Sequence, residues 1–392
     1  MSKSWLLSED ALRSRRSAKW SRYVADVLPA WVAEMDFTIP SSVRTAIDRI
    51  RDADDYGYPL REGRRADQVL AEAFSARMET RFGWKPAKDC TIAISDLVQA
   101  LFACVVAFSD PGDDVILQIP AYPPFHDGIR DTGRKLVPHR VSYAAGRIEM
   151  NVDGLQALMS DRSRIILLCN PQNPTGHVYT REELMVIAQV AIRNDLIVVS
   201  DEIHCDLLYS GTHVPFASLG DEIAARTVTL NSATKSFNIP GLRCAMMHFG
   251  SAELMKRFIE RIPRKMLGTP NSIGVDATVT AWEEGQPWLN EVVSHLRAMR
   301  DHVAGTIATT MPQLQFYIPD ATYLGWIDCN NLRLKTPAFE FFHDRARVAF
   351  NAGETFDSER SDFVRFNFAT SRLLIDKILD RMQGALRPCS EP

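Results

Sequence analysis

The segment IILLCNPQNPTGHVYTREELMVIAQVAIRNDLIVVSDEIH, residues 165–204, indicates the fold class. Its runs Ile165–Cys169 and Ile197–Ser200 are apolar at consecutive positions, which is typical of strands covered on both faces in a parallel sheet. Between them, Thr180–Glu183 has the Thr-x-x-Glu spacing of a capping box that opens a helix. The apolar stripe of this helix consists of Leu184, Ile187, Ala188 and Ala191. Strand, capped helix and strand make a βαβ unit, so we predict an α/β fold.

The rest of the chain divides into two patterns. Further β-type runs of the predicted sheet are Thr91–Ile94, Val115–Ile119 and Thr227–Leu230. After about residue 285 a helix around Trp288–Thr310 is followed by three segments that alternate like strands. These segments are ATYLGWID (321–328), ARVAFNAG (346–353) and DFVRFNFA (362–369). They indicate a separate α+β unit.

We therefore predict three parts. Residues 1–45 form an N-terminal segment that packs with the small domain. Residues 46–284 form a large domain with a mostly parallel central sheet, and residues 285–392 form a smaller α+β domain.

Composition excludes several classes of protein. The chain has 392 residues and a formal charge of −4, which argues against attachment to nucleic acid or membrane through bulk positive charge. The longest apolar run, Leu97–Phe108, contains Gln99 and is shorter than the ~18 residues of a membrane span. Residues 1–20 place most of their charges after the apolar patch, the reverse of a secretory signal.

Cysteine usage indicates the compartment. The seven cysteines include no close pair, so neither a disulfide framework nor a CxxC zinc site is indicated. We expect free thiols in a reducing cytosol, and therefore a cytoplasmic protein. The cysteines are Cys90, Cys104, Cys169, Cys205, Cys244, Cys329 and Cys389.

Polar groups follow each predicted strand. The segments in question are Ser95-Asp96, Pro120–Pro124 with Tyr122, Asn170–Gly176, Asp201–His204 and Asn231–Lys235. Ligands of open parallel sheets bind at the carboxyl ends of the strands. We therefore expect a phenol, an amide, a carboxylate, hydroxyls and an amine to meet at one edge.

These groups match the requirements of pyridoxal 5'-phosphate. Its aldehyde needs a lysine, and its pyridine nitrogen needs a carboxylate that keeps the ring protonated as an electron sink. Its phosphate needs a helix N-terminus, hydroxyls or an arginine, and its ring face an aromatic neighbour. The sequence contains neither a GxGxxG dinucleotide fingerprint nor a GxxxxGK[ST] phosphate loop.

Three motifs in order, NPQNPTG (170–176), SDEIH (200–204) and SATKSFNIPGLR (232–243), resemble the fold-type I pyridoxal-phosphate enzymes related to aspartate aminotransferase. The resemblance extends from VAEMDF (32–37) to DFVRFNFA and so covers nearly the whole chain. It implies the large and small domains described above. It also implies an amino-acid substrate and a homodimer with shared active sites.

The resemblance assigns roles around the cofactor ring. Lys235 is similar to the Schiff-base lysine that also moves the substrate's α-proton. Asp201 would pair with the pyridine nitrogen, and Asn173 would hydrogen-bond the phenolic oxygen. Tyr122 would stack on the ring, and His204 lies where many aminotransferases have tyrosine.

The resemblance also assigns the outer contacts. Ser232 and Arg243 would hold the phosphate, with the helix N-terminus at Asp96–Leu97. Tyr58 would reach the phosphate of the neighbouring subunit. Arg365 would bind the substrate's α-carboxylate as a bidentate pair.

A metal site formed by Asp201, Glu202, His204 and Asp206 is the less favoured alternative, although all four are possible ligands. Side chains alternate faces along a strand, so Asp201 and His204 are not expected to converge. We therefore predict no metal.

The reaction is not decided by these motifs, because transamination and β-elimination share an α-carbanion. VAEMDF, His204 in DEIH, and KSFN (235–238) with YLGW (323–326) resemble the carbon–sulfur lyases of the MalY/PatB cystathionine β-lyase type. Arg243 and Asp96 depart from that branch's pattern, and Asp96 puts an acid near an anion. We predict a carbon–sulfur lyase. The alternatives are an aminotransferase for an aromatic or sulfur amino acid, or a cofactor-binding regulatory protein.

Overall fold

The computed structural model describes residues 4–61, 63–144 and 146–387; Cys389 lies outside them. A central sheet of seven strands forms the larger part of the molecule. Its strands are β1 Thr91–Ile94, β2 Asp114–Ile119, β3 Lys135–Arg140, β4 Ser163–Cys169, β5 Ile197–Asp201, β6 Thr227–Asn231 and β7 Ala245–Phe249.

The strand order in this sheet is β1-β7-β6-β5-β4-β2-β3. Every neighbouring pair is parallel except those of β7, which is antiparallel to β6 and β1. The prediction of a mostly parallel sheet is confirmed, as are all five predicted strands. The sequence reading missed β3, an edge strand that contains Pro138, and β7, whose AMMHF has no β-branched residue.

Both faces of the central sheet are covered. Ile165 and Leu167 of β4 pack into one hydrophobic cluster with the helix Leu97–Phe108. Ile166 and Leu168 pack into another cluster, on the opposite face, with the helix Arg181–Arg193. This alternation explains why β4 is apolar at consecutive positions.

The predicted capping box is present. The Thr180 hydroxyl accepts from the Glu183 amide at 3.2 Å, and the Glu183 carboxylate accepts from the Thr180 amide at 2.7 Å. None of the described helices is long and apolar enough to cross a membrane. The described α-helices are Glu9–Arg13, Ala18–Ser21, Ser41–Asp52, Ala66–Phe82, Leu97–Phe108, Pro123–Arg130, Arg181–Arg193, Asp221–Ala224, Ala252–Arg261, Ser272–Glu284, Gln286–Thr310, Ala338–Phe341 and Arg372–Leu386.

A second, antiparallel sheet of four strands has the order β8-β9-β11-β10. Its strands are β8 Gln315–Tyr317, β9 Leu324–Asp328, β10 Asn351–Ala352 and β11 Phe363–Asn367. All three strand-like segments predicted near the C-terminus contribute to it. Shorter pairs join Leu28–Pro29 to Val348–Ala349, Leu60–Arg61 to Arg64–Arg65, and Ser142–Ala144 to Arg147–Glu149.

Candidate active site

A cavity of about 300 Å³ opens at the carboxyl ends of β2, β4, β5 and β6. Residues of the second sheet and of the N-terminal segment complete its wall. Every predicted site residue except Tyr58 lines this cavity. These residues are Asp96, Leu97, Tyr122, Asn173, Asp201, His204, Ser232, Lys235, Arg243 and Arg365.

Lys235 follows β6, and its amine reaches the N-terminal segment. Its Nζ donates a hydrogen bond to the Ala33 carbonyl oxygen at 3.0 Å, and the Tyr323 hydroxyl donates to the same oxygen at 3.1 Å. Burial, with a smaller effect of the Arg365 charge, lowers the pKa of Lys235 to about 8. A large fraction of this amine is therefore neutral in mildly alkaline solution.

Asp201 is the last residue of β5 and lies in register with Cys169 of β4. Its carboxylate accepts from the Ile203 amide at 3.1 Å. Burial, followed by the charge of Glu202, raises the pKa of Asp201 to about 7. Among the described residues, no basic side chain forms an ion pair with Asp201. A buried carboxyl group without an ion-pair partner can bind a cationic ligand, such as a protonated pyridine nitrogen.

Arg365, on β11, is 2% exposed and faces the cavity. Its guanidinium donates to Asn173 Oδ1 at 2.8 Å, to Asn351 Oδ1 at 2.6 Å and to the Trp31 carbonyl at 3.2 Å. It also lies over the Phe356 ring at 4.7 Å. Burial lowers the pKa of Arg365 to about 10, so the group remains a cation near neutral pH. Its Nε is buried and has no hydrogen-bond partner within the described ranges.

The helix N-terminus that was expected to bind a phosphate is capped by a side chain of the protein itself. The Asp96 carboxylate accepts from the amides of Val98 and Gln99 and forms an ion pair with Arg243 at 3.0 Å. The Ser232 hydroxyl donates to the Cys244 carbonyl at 2.6 Å. The predicted phosphate contacts therefore line one cavity, and Asp96 is already paired with one of them, Arg243.

His204 also lines the cavity, contrary to the argument from alternating faces. That argument is wrong because β5 ends at Asp201 and residues 202–206 form a turn. Burial lowers the pKa of His204 to about 3, so the ring is neutral, and its Nδ1 is buried without a described partner. The parts of the chain that the structure describes contain no group of three or more His, Cys, Asp or Glu side chains that could hold a metal ion.

Tyr122 and Tyr58 differ in their surroundings. Tyr122 precedes the helix Pro123–Arg130 and is 37% exposed, with its ring on the cavity wall. Tyr58 does not line the cavity and its side chain is fully exposed. Within one chain, the structure therefore brings Tyr122 but not Tyr58 to the site.

Several cavity contacts were missed by sequence reasoning. The Ala33 carbonyl binds Lys235, and the Trp31 carbonyl and the Asn351 side chain bind Arg365. The only signal for the first was the motif VAEMDF, which served to indicate the family and its branch but not a contact with Lys235. Asn351 lay in a segment read only as a strand. Behind Asp201, the buried Glu202 carboxylate lies 2.9 Å from His213 Nε2.

Comparison with known proteins identifies the family. The family model described as aminotransferase class I and II matches residues 67–382. Cystathionine beta-lyase PatB of Bacillus subtilis is 31% identical over 95% of this chain and 97% of its own length. Cystathionine beta-lyase of Corynebacterium glutamicum is 30% identical over 96% and 98%.

A solved structure is similar as well. Cystalysin from Treponema denticola, which contains a pyridoxal 5'-phosphate cofactor, is 27% identical, and the match covers 95% of this chain and 96% of cystalysin with a TM-score of 0.89. The sequence prediction of fold and family is confirmed. The chain belongs to the class I and II aminotransferase family of pyridoxal-phosphate-dependent enzymes.

Proposed function

We propose that this protein catalyses β-elimination on cystathionine or a related cysteine S-conjugate, giving a thiol, pyruvate and ammonia. The observation that carries the proposal is that one cavity holds the Lys235 amine, the Asp201 carboxylate and the Arg365 guanidinium. Lys235 can act as a base, Asp201 can pair with a cationic ring, and Arg365 can bind a carboxylate. The two curated relatives named above act on the same bond according to their names.

The residues present suit pyridoxal 5'-phosphate. Lys235 would hold its aldehyde, Asp201 its ring nitrogen, Asn173 its phenolic oxygen and Tyr122 its ring face. Arg243 and Ser232 would contact the phosphate. When bound, the cofactor supplies an electron sink for the charge that develops at the substrate's α-carbon.

Arg365 orients the substrate. A carboxylate can accept from a guanidinium through two parallel hydrogen bonds, and Arg365 lines the cavity. The contacts to Asn351 and the Phe356 ring keep the guanidinium in place before substrate arrives. A substrate held by its α-carboxylate has its α-carbon fixed relative to the lysine.

Lys235 moves the proton. A base must be neutral, and its lowered pKa supplies the neutral amine near pH 8. The Ala33 carbonyl accepts a hydrogen bond from Nζ and so positions the amine at the cavity wall. The bond between the β-carbon and sulfur then breaks, and the departing sulfur takes up a proton to leave as the thiol. Water hydrolyses the remaining three-carbon enamine to pyruvate and ammonia.

Incubation with L-cystathionine tests this reaction. Pyruvate and a free thiol formed without any added 2-oxo acid are the expected products. A new 2-oxo acid formed only when a second 2-oxo acid is supplied would instead indicate the aminotransferase that the family also contains. Neither product from a yellow, cofactor-bound protein would indicate the binding role.

We also propose a homodimer in which Tyr58 contacts the cofactor phosphate of the neighbouring subunit. Support comes from the exposed Tyr56, Tyr58, Leu60 and Met266, large apolar side chains that a partner chain would cover. The side-chain amide of Gln99 donates to the Met266 carbonyl at 3.3 Å, and Gln99 belongs to the helix whose first residues line the cavity.

The domain division at residues 45 and 284 is likewise our proposal. It is supported by the pairing of Leu28–Pro29 with Val348–Ala349, which attaches the N-terminal segment to the C-terminal part. We propose a cytoplasmic location on the ground that the six described cysteines are all free thiols.

A further inference from the structure

A carboxylate occupies the position at which this cavity would receive an anion. Asp96 Oδ1 accepts from the amide of Val98 at 2.8 Å and from that of Gln99 at 3.3 Å. These amides belong to the first turn of the helix Leu97–Phe108, where backbone N–H groups have no partner within the helix. Such amides, together with the positive end of the helix dipole, attract phosphate groups. Here the chain's own side chain binds them.

The same carboxylate also binds the arginine of this region. Asp96 Oδ2 lies 3.0 Å from Arg243 Nη2, so one side chain satisfies both the helix amides and the guanidinium. The Arg243 side chain is 62% exposed and that of Asp96 26% exposed. An ion pair this exposed is weak and is readily exchanged for a competing anion.

We infer that the Asp96 side chain competes with the cofactor's phosphate for the helix N-terminus and for Arg243, and so weakens the hold on that group. This inference rests on the proposed use of pyridoxal phosphate. A phosphate that approaches the helix amides must displace Asp96 from its cap, and the two negative groups repel each other at short range. The ring contacts and Lys235 then supply most of the affinity.

The substitution Asp96→Asn removes the negative charge of this side chain and leaves its shape almost unchanged. Asparagine is as good an N-cap as aspartate and has almost the same shape, so both hydrogen bonds to the helix amides can persist. The cofactor-free variant and wild type are titrated with pyridoxal phosphate and, separately, with pyridoxal, which lacks the phosphate. Absorbance of the bound ligand gives both dissociation constants.

The variant is expected to bind pyridoxal phosphate about tenfold more tightly and pyridoxal with unchanged affinity. Asp110→Asn is the matched control, because it removes another exposed Asp–Arg pair, with Arg261 at 2.6 Å, outside the cavity. Both dissociation constants of this control are expected to equal those of wild type. Asp96→Ser keeps a capping hydroxyl and replaces Asp96→Asn if thermal unfolding shows that the latter does not fold.

Equal or weaker binding of pyridoxal phosphate by the folded Asp96 variant would overturn the inference, because Asp96 would then help the site by holding Arg243. Equal tightening for pyridoxal would also overturn it, since the effect would not involve the phosphate. A wild type that binds neither ligand and is not labelled by borohydride at Lys235 would refute the proposed function as well. The latter outcome is thereby distinguished from failure of the inference alone.

Discussion

The guanidinium of Arg365 donates a hydrogen bond to the side-chain oxygen of Asn173 at 2.8 Å. Arg365 belongs to β11 of the four-stranded sheet, and Asn173 follows β4 of the central sheet. The pair joins the two sheets across the cavity. A carboxylate bound at Arg365 would therefore lie beside the residue proposed to contact the cofactor's phenolic oxygen.

Lys235→Ala is expected to reduce turnover by roughly 10³-fold or more, because it removes both the base and the attachment point. The protein should also lose the visible absorbance of bound cofactor and its borohydride label. Lys135→Ala, at a side chain 72% exposed, serves as the control and should leave both unchanged. Normal activity in Lys235→Ala would refute the assignment.

Cofactor attachment should depend on pH through Lys235. The amine must be neutral to attack the aldehyde, and its pKa is lowered to about 8. The rate of attachment, measured by stopped-flow absorbance on cofactor-free protein, should therefore rise with pH and level off above about 8. A rate that keeps rising toward pH 10 would indicate an amine with an ordinary pKa.

Asp201→Asn should change how the stability of the cofactor-free protein varies with pH. The pKa of Asp201 is raised from 3.8 to about 7, so between these values the folded state holds a proton that the unfolded chain releases. This carboxyl therefore makes the protein less stable as pH rises from about 4 to 7, and the variant should lose less stability over that range. Urea unfolding at several pH values measures the difference.

An identical pH dependence in the two proteins would contradict this prediction. In the cofactor-loaded protein, a cationic ring beside Asp201 would lower its pKa, and the loss of stability over this range should disappear. Asp127→Asn, at an exposed side chain, is the control.

Arg365→Lys should weaken substrate binding. Lysine keeps the charge but loses the planar fork, and with it the contacts to Asn173 and Asn351. We expect KM for the amino-acid substrate to rise by about 10- to 100-fold, because the free energy of one or two charge-assisted hydrogen bonds corresponds to a change of that size. Arg347→Lys, which replaces an arginine in an exposed pair with Asp26, should leave KM unchanged. An unaltered KM in Arg365→Lys would place the substrate carboxylate elsewhere.

Tyr58→Phe should weaken binding of pyridoxal phosphate by about tenfold if its hydroxyl serves the neighbouring subunit. Tyr56→Phe, two residues away and also exposed, is the matched control. Equilibrium titration and sedimentation measure affinity and assembly together. Binding as tight as that of wild type in a Tyr58→Phe dimer would count against the shared site.

Most of the central sheet was predictable because its signals are local. Consecutive apolar residues in β4 and β5 reflect burial on both faces, and the capping box at Thr180 uses groups only three residues apart. Strands β3 and β7 were missed because neighbours in the sheet, rather than intrinsic preference, stabilise them. The resemblance placed His204 at the site correctly, but the argument from alternating faces failed because the strand ends at Asp201 and does not reach His204.

The amino-acid order alone identified most chemical groups of the site and the edge of the sheet at which they meet, since most of them follow a recognisable strand, while Arg243 and Arg365 were assigned through the resemblance. Only the folded chain revealed which groups touch. Lys235 and Ala33 are 202 residues apart, Arg365 and Asn173 are 192 apart, and the Asp96 carboxylate lies within reach of both its helix and Arg243. Contacts of this kind depend on how distant segments pack and on which rotamer that packing permits, and no local pattern encodes either.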